Sequence, residues 1–360
     1  MEIAILGLAN AGKTTIFNAL TAQEHPTPVY PSLEGSPKEA IVKVPDQRLV
    51  KLAEHFNPQK ITYATVHYMD YLGIMKAEPQ HNRKILEVMK DADAYLHVVR
   101  AFEDEAIVHP FGSVDPIRDI NILRTELVIS DLELVEKRLE RIEESKKKGK
   151  KIQPEEERVL LKLKTALEQE KAIRELSLSE EELLAIRHLQ FITDKPEIIL
   201  LNISEEQFKQ DRGDSLVKKV QKTINSHTPV LAVSGKIEME IALLEENERK
   251  EFLEDFGLRE AAMQRVIKVC YEHLGLISFF TVGPQEVRAW TIRKGTRAQQ
   301  AAGKIHSDME KGFIRAEVIS YEDFISSGSV QEARKRGLYR LEGKDYVVKD
   351  GDIITFRFNV

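Results

Sequence analysis

An α/β fold is what this 360-residue sequence predicts: a mainly parallel sheet wrapped by helices, carrying an inserted helical hairpin and followed by a smaller mixed sheet. Three observations predict it. Short apolar runs alternate with helical periodicity, the pattern of a parallel sheet with crossover helices. A glycine-rich loop separates the first apolar run from the first helical pattern. One long, charge-dense stretch has no strand signal and only narrow apolar stripes.

The runs Glu2 to Leu6, Ala40 to Val44, Thr65 to Met69, Ala94 to Val99, Glu197 to Leu201 and Pro229 to Val233 read as strands. Helices are expected at Lys13 to Thr21, His81 to Asp91, Ser215 to Asn225 and Ile237 to Asn247. From about Ile117 to His188 the pattern changes. Ile120, Leu123 and Leu127, then Leu132, Val135, Leu139 and Ile142, recur three and four apart on one helix face. Gly149 and Pro154 mark a turn and a new start, after which Leu160, Leu163 and Leu167 repeat the stripe. Two such stripes should zip into an antiparallel hairpin projecting from the sheet domain. Beyond Ser278, strands are expected at Phe279 to Val282, Glu286 to Ile292, Ala316 to Ser320, Asp345 to Val348 and Ile353 to Phe358, with a helix at Thr296 to Lys311. The expected boundaries are 1–116 with 190–275, an insert at 117–189, and a last domain at 278–360.

Composition bounds the function. The apolar share of 42% supports real cores, and a net charge of −6 does not mark the whole chain as a nucleic-acid binder. The one cysteine, Cys270, excludes an internal disulfide framework and any multi-cysteine zinc site, and reads as core filler. No apolar run approaches the roughly 20 residues of a membrane span, and the amino end lacks a basic leader. A cytoplasmic protein without membrane contact, read as a monomer, is expected.

Gly7-Leu-Ala-Asn-Ala-Gly12-Lys13-Thr14 fits the phosphate-binding loop G-x-x-x-x-G-K-S/T, in its required setting between a strand and a helix. Glycines let the backbone N–H groups face a polyphosphate, and the helix N-terminus adds a positive dipole end. Lys13 is expected to span the β- and γ-phosphates, and the Thr14 hydroxyl to ligate Mg2+. Asp70-Tyr-Leu-Gly73 closes a later core strand and fits D-x-x-G, with Asp70 holding the metal and the Gly73 N–H meeting the γ-phosphate.

Asn202-Ile203-Ser-Glu205 stands where GTPases carry N-K-x-D. The acid is one methylene longer than aspartate and misplaced for two guanine N–H donors. Each lost charged hydrogen bond is worth about 1.5–3 kcal/mol, so ATP becomes competitive or favoured over GTP. Ser234-Gly235-Lys follows the next strand and fits the loop that borders the base.

These motifs, together with Val287-Arg-Ala-Trp290-Thr, the stretch from His306 to Val318, Leu341-Glu-Gly-Lys-Asp-Tyr346 and the closing Asp350 to Val360, resemble the Obg-like ATPase (YchF) family over essentially the whole chain. The resemblance implies an Obg-type G domain, a coiled-coil arm and a C-terminal TGS domain of β-grasp type. It also implies ATP hydrolysis and association with the ribosome. Asn10, Ala11, Gly12, Lys13, Thr14 and Thr15 match the family's phosphate-contact segment, and Ile203 its base-contacting backbone. Two departures stand out. After Tyr30-Pro31, Glu34 stands where the family has its metal-binding threonine, and it either substitutes as a ligand or the contact is lost. Ile74-Met-Lys-Ala-Glu-Pro replaces the usual glycine-rich switch, as in a diverged paralogue.

Ile74 occupies the position where Ras-type enzymes carry a water-orienting glutamine, and it can neither donate nor accept. His109, in the loop Ala106 to Gly112, is the candidate water positioner or base. Slow basal turnover, raised by a partner, is expected. The Lys146 to Lys151 run and Lys311-Gly-Phe-Ile-Arg315 offer RNA contacts or, as readily, a solvated turn and a sheet edge. The rival readings are a GTPase of the same architecture and a nucleotide-binding scaffold that does not hydrolyse.

Overall fold

A computed structural model describes residues 1–25, 37–210, 212–224 and 227–359. Glu34 and its Tyr-Pro context lie outside the described residues. Among the described residues twelve strands run in chain order: β1 Glu2–Leu6, β2 Lys38–Lys43, β3 Lys60–Thr62, β4 Thr65–Asp70, β5 Ala94–Arg100, β6 Glu197–Asn202, β7 Val230–Val233, β8 Leu276–Thr281, β9 Glu286–Arg293, β10 Phe313–Ser320, β11 Arg340–Glu342 and β12 Asp352–Phe358. They form two six-stranded sheets, ordered β2-β4-β1-β5-β6-β7 and β11-β10-β12-β8-β9-β3. The chain divides into two compact units, Met1–Ala40 with His67–Met263, and Ile41–Val66 with Gln264–Val360.

In the first unit, β4, β1, β5, β6 and β7 are all parallel, with Ile5 opposite Asp70 and Leu96. β5 and β6 are buried along their whole length, which is why they read as mostly apolar runs without alternation. The loops leaving β1, β4, β6 and β7 all lie at the carboxyl edge, where ligands bind in such sheets. The Pro116–Lys147 helix starts on a Pro at its first turn, and Asp115 accepts from the N–H groups of Ile117 and Arg118. Its first half packs Leu123 and Leu127 into the sheet core. Its second half packs Val135 and Ile142 against Val159, Leu160 and Leu163 of the Pro154–Glu168 helix, a separate core. The Glu180–Ile186 helix, capped by Ser179, completes this packing through Ile186.

In the second unit, β8 and β9 form an antiparallel pair and β10 pairs antiparallel with β11 and β12. The Ala298–Ile305 helix packs Ala298, Ala301 and Ala302 on Phe279, Val318 and Phe356.

Several expectations need correction. The helix expected over Thr296 to Lys311 breaks at His306 (φ −159°, ψ 142°), whose Nδ1 accepts from the Asp308 N–H and caps a second helix, Ser307–Lys311. Asp345 to Val348 is not a strand. The Tyr346 carbonyl accepts from Ala298 N–H, and the short strand beside β10 is β11. The helix expected over Ile237 to Asn247 is Gly235–Leu243. Leu244 leaves the helical region (ψ 144°), and a capping box at Glu245 starts Glu246–Asp255. Residues 41–66, assigned from the sequence to the first domain, group with the second unit. There β3 pairs with β9, Arg48 Nη1 donates to Asp350 at 2.7 Å, and Phe56 stacks on Phe324. Among the described residues no helix is long and apolar enough to cross a membrane.

Candidate functional site

The loop between β1 and the Lys13–Thr21 helix is shaped by close backbone approach. A Cβ on Gly7 would lie 2.2 Å from the Val98 carbonyl oxygen. Gly12 sits at φ 88°, and a Cβ there would lie 2.2 Å from Asn202 Nδ2. Asn10 also takes the left-handed region (φ 63°), and its Nδ2 donates to the Val108 carbonyl at 2.9 Å. The loop is tied to the segment after β4: Ala9 N–H donates to Ile74 O and Ile74 N–H to Gly7 O, each at 3.0 Å. Gly73 is squeezed into this junction. A Cβ on it would fall 2.6 Å from Ala9 Cα and 2.8 Å from Lys13 Nζ.

Lys13 is buried, and its ammonium donates to the Leu8 carbonyl at 2.9 Å. Burial lowers its pKa to about 8, with Asp70 pulling the other way. Thr14 Oγ1 donates to Asp70 Oδ2 at 2.8 Å. Burial pushes the Asp70 carboxyl up, against the opposing pull of Lys13 and the Thr14 hydrogen bond. The other carboxylate oxygen, Oδ1, is buried and has no partner among the described residues. Such an orphan is costly in a native interior. Beside a threonine hydroxyl and an ammonium, it fits a site completed by a cation. Thr15 lies half-buried in the first helical turn.

At the end of β6, Asn202 acts as a strut. Its Nδ2 donates to Ala11 O at 3.1 Å and its Oδ1 accepts from Gly235 N–H at 3.0 Å. The phosphate loop and the Ser234-Gly235 loop are thereby clamped together. The Ile203 side chain is buried in the core with Val220 and Val230, and its N–H donates to Val233 O. Glu205 opens the Glu205–Lys209 helix and pairs with Lys236 at 2.7 Å. Lys236 holds the Glu205 carboxyl below its ordinary value. The Ser234 hydroxyl is buried without a partner among the described residues.

Structure thus brings Gly7, Asn10, Ala11, Gly12, Lys13, Thr14, Asp70 and Gly73 together, with Asn202 and Gly235 braced against them. Its placement of His109 differs from that of a group facing a nucleotide. His109 is buried, its Nε2 lies 2.9 Å from Asp119 Oδ2, and its Nδ1 accepts from Phe111 N–H at 3.1 Å. Ile74 is a core residue beside Leu6 and Tyr71.

Arg100 and Asp119 were not legible as site residues. The Arg100 guanidinium ends the apolar β5 strand and donates to the carbonyls of Phe102, Asp104 and Ile107, so it shapes the loop that carries His109. An arginine closing a mostly apolar strand was the available signal. In the two basic segments, three lysines have acidic partners, while Lys311 and Arg315 are exposed. Lys146, Lys147 and Lys148 pair with Glu157, Glu143 and Glu144. Phe313 is half-buried against Phe356, ring centroids 6.2 Å apart.

Comparison with known proteins accounts for the whole chain. Residues 2–149 match the family model described as "50S ribosome-binding GTPase". Residues 276–359 match the C-terminal model YchF-GTPase_C, described as "Protein of unknown function (DUF933)". The chain is 43% identical to "Ribosome-binding ATPase YchF" of Bacillus subtilis, over 100% of both chains. It is 39% identical to "Obg-like ATPase 1" of Gallus gallus, over 100% of this chain and 92% of that one. The solved Schizosaccharomyces pombe YchF GTPase superposes with a TM-score of 0.83 at 32% identity, covering 99% of this chain and 97% of that one. Full-length identity at this level, one fold from end to end and a phosphate loop built as described place the chain in the Obg-like ATPase (YchF) family of P-loop nucleoside triphosphatases.

Proposed function

We propose that this protein is a cytoplasmic, Mg2+-dependent ATPase with slow basal turnover that docks on the ribosome. The observation that carries the chemistry is the set formed by the buried Lys13 ammonium, the Thr14 hydroxyl and the unpartnered Asp70 Oδ1. Backbone N–H groups of residues 7–15 bind the phosphates. Lys13 exchanges its bond to the Leu8 carbonyl for phosphate oxygens, and Gly73, too close to Ala9 for any side chain, lends its N–H to the γ-phosphate. Thr14 and Asp70 hold Mg2+, with Glu34 a further ligand. When bound, the ion neutralises charge on the transferring phosphoryl group. Ile203, Ser234 and Gly235 border the base on the frame that Asn202 braces. Glu205, drawn to Lys236, is not free to receive two guanine donors, which favours ATP.

In this reading the first unit without residues 117–189 forms the nucleotide domain, 117–189 a coiled-coil arm and 278–360 a TGS domain. The arm and the TGS domain serve docking. Support for the ribosome as partner is the likeness to the ribosome-binding ATPase YchF of Bacillus subtilis and, over residues 2–149, to 50S ribosome-binding GTPases. Hydrolysis needs a water positioner, and His109 takes that role once its loop rearranges.

The test is phosphate release from ATP and GTP in competition, with and without Mg2+ and 50S subunits. Expected are Mg2+-dependent release, preference for ATP, and stimulation by the subunits. Equal use of both nucleotides would instead favour a GTPase of this architecture, as the S. pombe relative is named. Binding without release would leave a scaffold.

A pH dependence follows from Lys13. Its pKa of about 8 in the nucleotide-free protein means that above that pH, binding must first return a proton to the amine. Phosphate contact needs the ammonium, so ATP affinity should fall by about tenfold per pH unit above pH 8 towards the ordinary lysine range. Calorimetry at two pH values checks it, and equal affinities would contradict the assignment.

A further inference from the structure

We propose that Asp119 is a positioning residue that holds His109 out of reach of the nucleotide until the root of the arm moves. This rests on the reading of His109 as the water positioner. Asp119 lies in the first turn of the Pro116–Lys147 helix and is itself buried. Its Oδ2 faces His109 Nε2 at 2.9 Å, while its Oδ1 takes Arg118 Nε at 3.0 Å and Nη2 at 2.8 Å. On the other side of the ring, Nδ1 accepts from the Phe111 N–H. With Nδ1 an acceptor, the proton sits on Nε2 and is donated to the carboxylate. Both ring nitrogens are then spent inside the fold, and the side chain is 5% exposed. A histidine in this state has no lone pair or proton to offer a water molecule.

The restraint joins the phosphate loop to the arm helix. One residue earlier, the Val108 carbonyl accepts from Asn10 of the phosphate loop, so occupation of that loop reaches the histidine segment directly. Asp119 belongs to a 32-residue helix, about 48 Å long at 1.5 Å per residue, whose far half forms the arm. A partner that grips the arm therefore acts through a long lever on the carboxylate. Displacing Asp119 by little more than an ångström breaks the hydrogen bond and frees the imidazole. Slow basal turnover and stimulation by a bound partner both follow from the one contact.

Asp119→Ala in the full chain should raise kcat for Mg2+-ATP without partner about tenfold, the scale of one charge-assisted hydrogen bond, with KM unchanged. Asp119→Asn keeps the volume and a neutral acceptor, so about threefold is expected, and this variant carries the test if the alanine variant does not fold. In both, exchange of the His109 ring C2 hydrogen with deuterium should accelerate. Asp119→Ala combined with His109→Ala should turn over no faster than His109→Ala alone. A merely structural role for Asp119 would lower stability and leave kcat at or below the parent. Folded Asp119 variants with faster ring exchange but no gain in kcat would overturn the proposal, provided that His109→Ala slows turnover. Parent-level turnover in His109→Ala would remove the catalytic reading of the histidine, and the latch with it.

Discussion

Replacing Lys13 with alanine should lower phosphate release from Mg2+-ATP by about a hundredfold to a thousandfold while the protein stays folded. Lys13 is the one side chain that the loop delivers as a desolvated cation beside the acid Asp70 and the backbone of Gly73. In a water-poor site, a preorganised charge aimed at the transferring phosphate counts for far more than it does in water, and removing one such donor costs about 100-fold to 1,000-fold in kcat. Phosphoryl transfer relies almost entirely on such positioning and neutralisation. The folded state does not need the ammonium. Burial works against the charge, so the alanine variant should denature at or above the parent's midpoint. Arginine is not a conservative substitute, because its planar, delocalised fork does not reproduce the compact point charge of an ammonium. Circular dichroism alongside phosphate release makes the measurement. A Lys13→Ala variant that keeps a tenth of the parent's activity would mean that the phosphates lie elsewhere.

The second large effect is on stability. Glu197, at the start of β6, is completely buried in the side chain and accepts from His97 Nδ1 at 3.0 Å, Arg124 Nη2 at 2.7 Å and Arg174 Nη2 at 2.6 Å. Arg174 also donates to Tyr95 Oη at 2.9 Å. Burial alone would raise this carboxyl, but the His97 hydrogen bond and the charges of Arg174 and Arg124 outweigh it and hold the group far below the usual range. Glu197→Ala removes the shared acceptor and leaves two half-buried guanidinium groups facing each other. Breaking a buried pair in this way costs about 3–5 kcal/mol.

The pH dependence has a definite sign. A carboxyl depressed in the folded state contributes its full stability above the ordinary value of 4.5 and loses it as pH falls towards the folded value. The gap between parent and Glu197→Gln in urea midpoint should therefore be widest near neutrality and narrow below about pH 4.5. A gap that stays constant down to pH 3 would mean that the charge is not what stabilises the site. Because Glu197 and Asn202 are the two ends of one strand, this cluster also sets the base of the strut that braces the phosphate loop.

The phosphate loop, the parallel sheet and the helical pair were legible because their causes are local. Glycines at Gly7 and Gly12, the lysine and hydroxyl after them, and apolar residues three and four apart all write their consequence within a few positions. Asp70 was legible for the same reason, as an acid closing a core strand. Asn202 was legible only in part. Its position in the chain marks it, but its bonds to Ala11 and Gly235 span 191 and 33 residues, and no periodicity records them.

What only the packed structure decided are the long-range contacts. His109 could be read as a free loop imidazole until Asp119, ten residues on, was seen to occupy its Nε2. Glu197 looks like an ordinary strand-start acid, yet its partner His97 lies 100 residues away. Residues 41–66 look like part of the first sheet's surroundings and instead complete the second unit. Local propensity specifies which element forms. The free energy of a buried charge or a sheet edge depends on which distant group desolvates and pairs it, and that is a property of the tertiary fold.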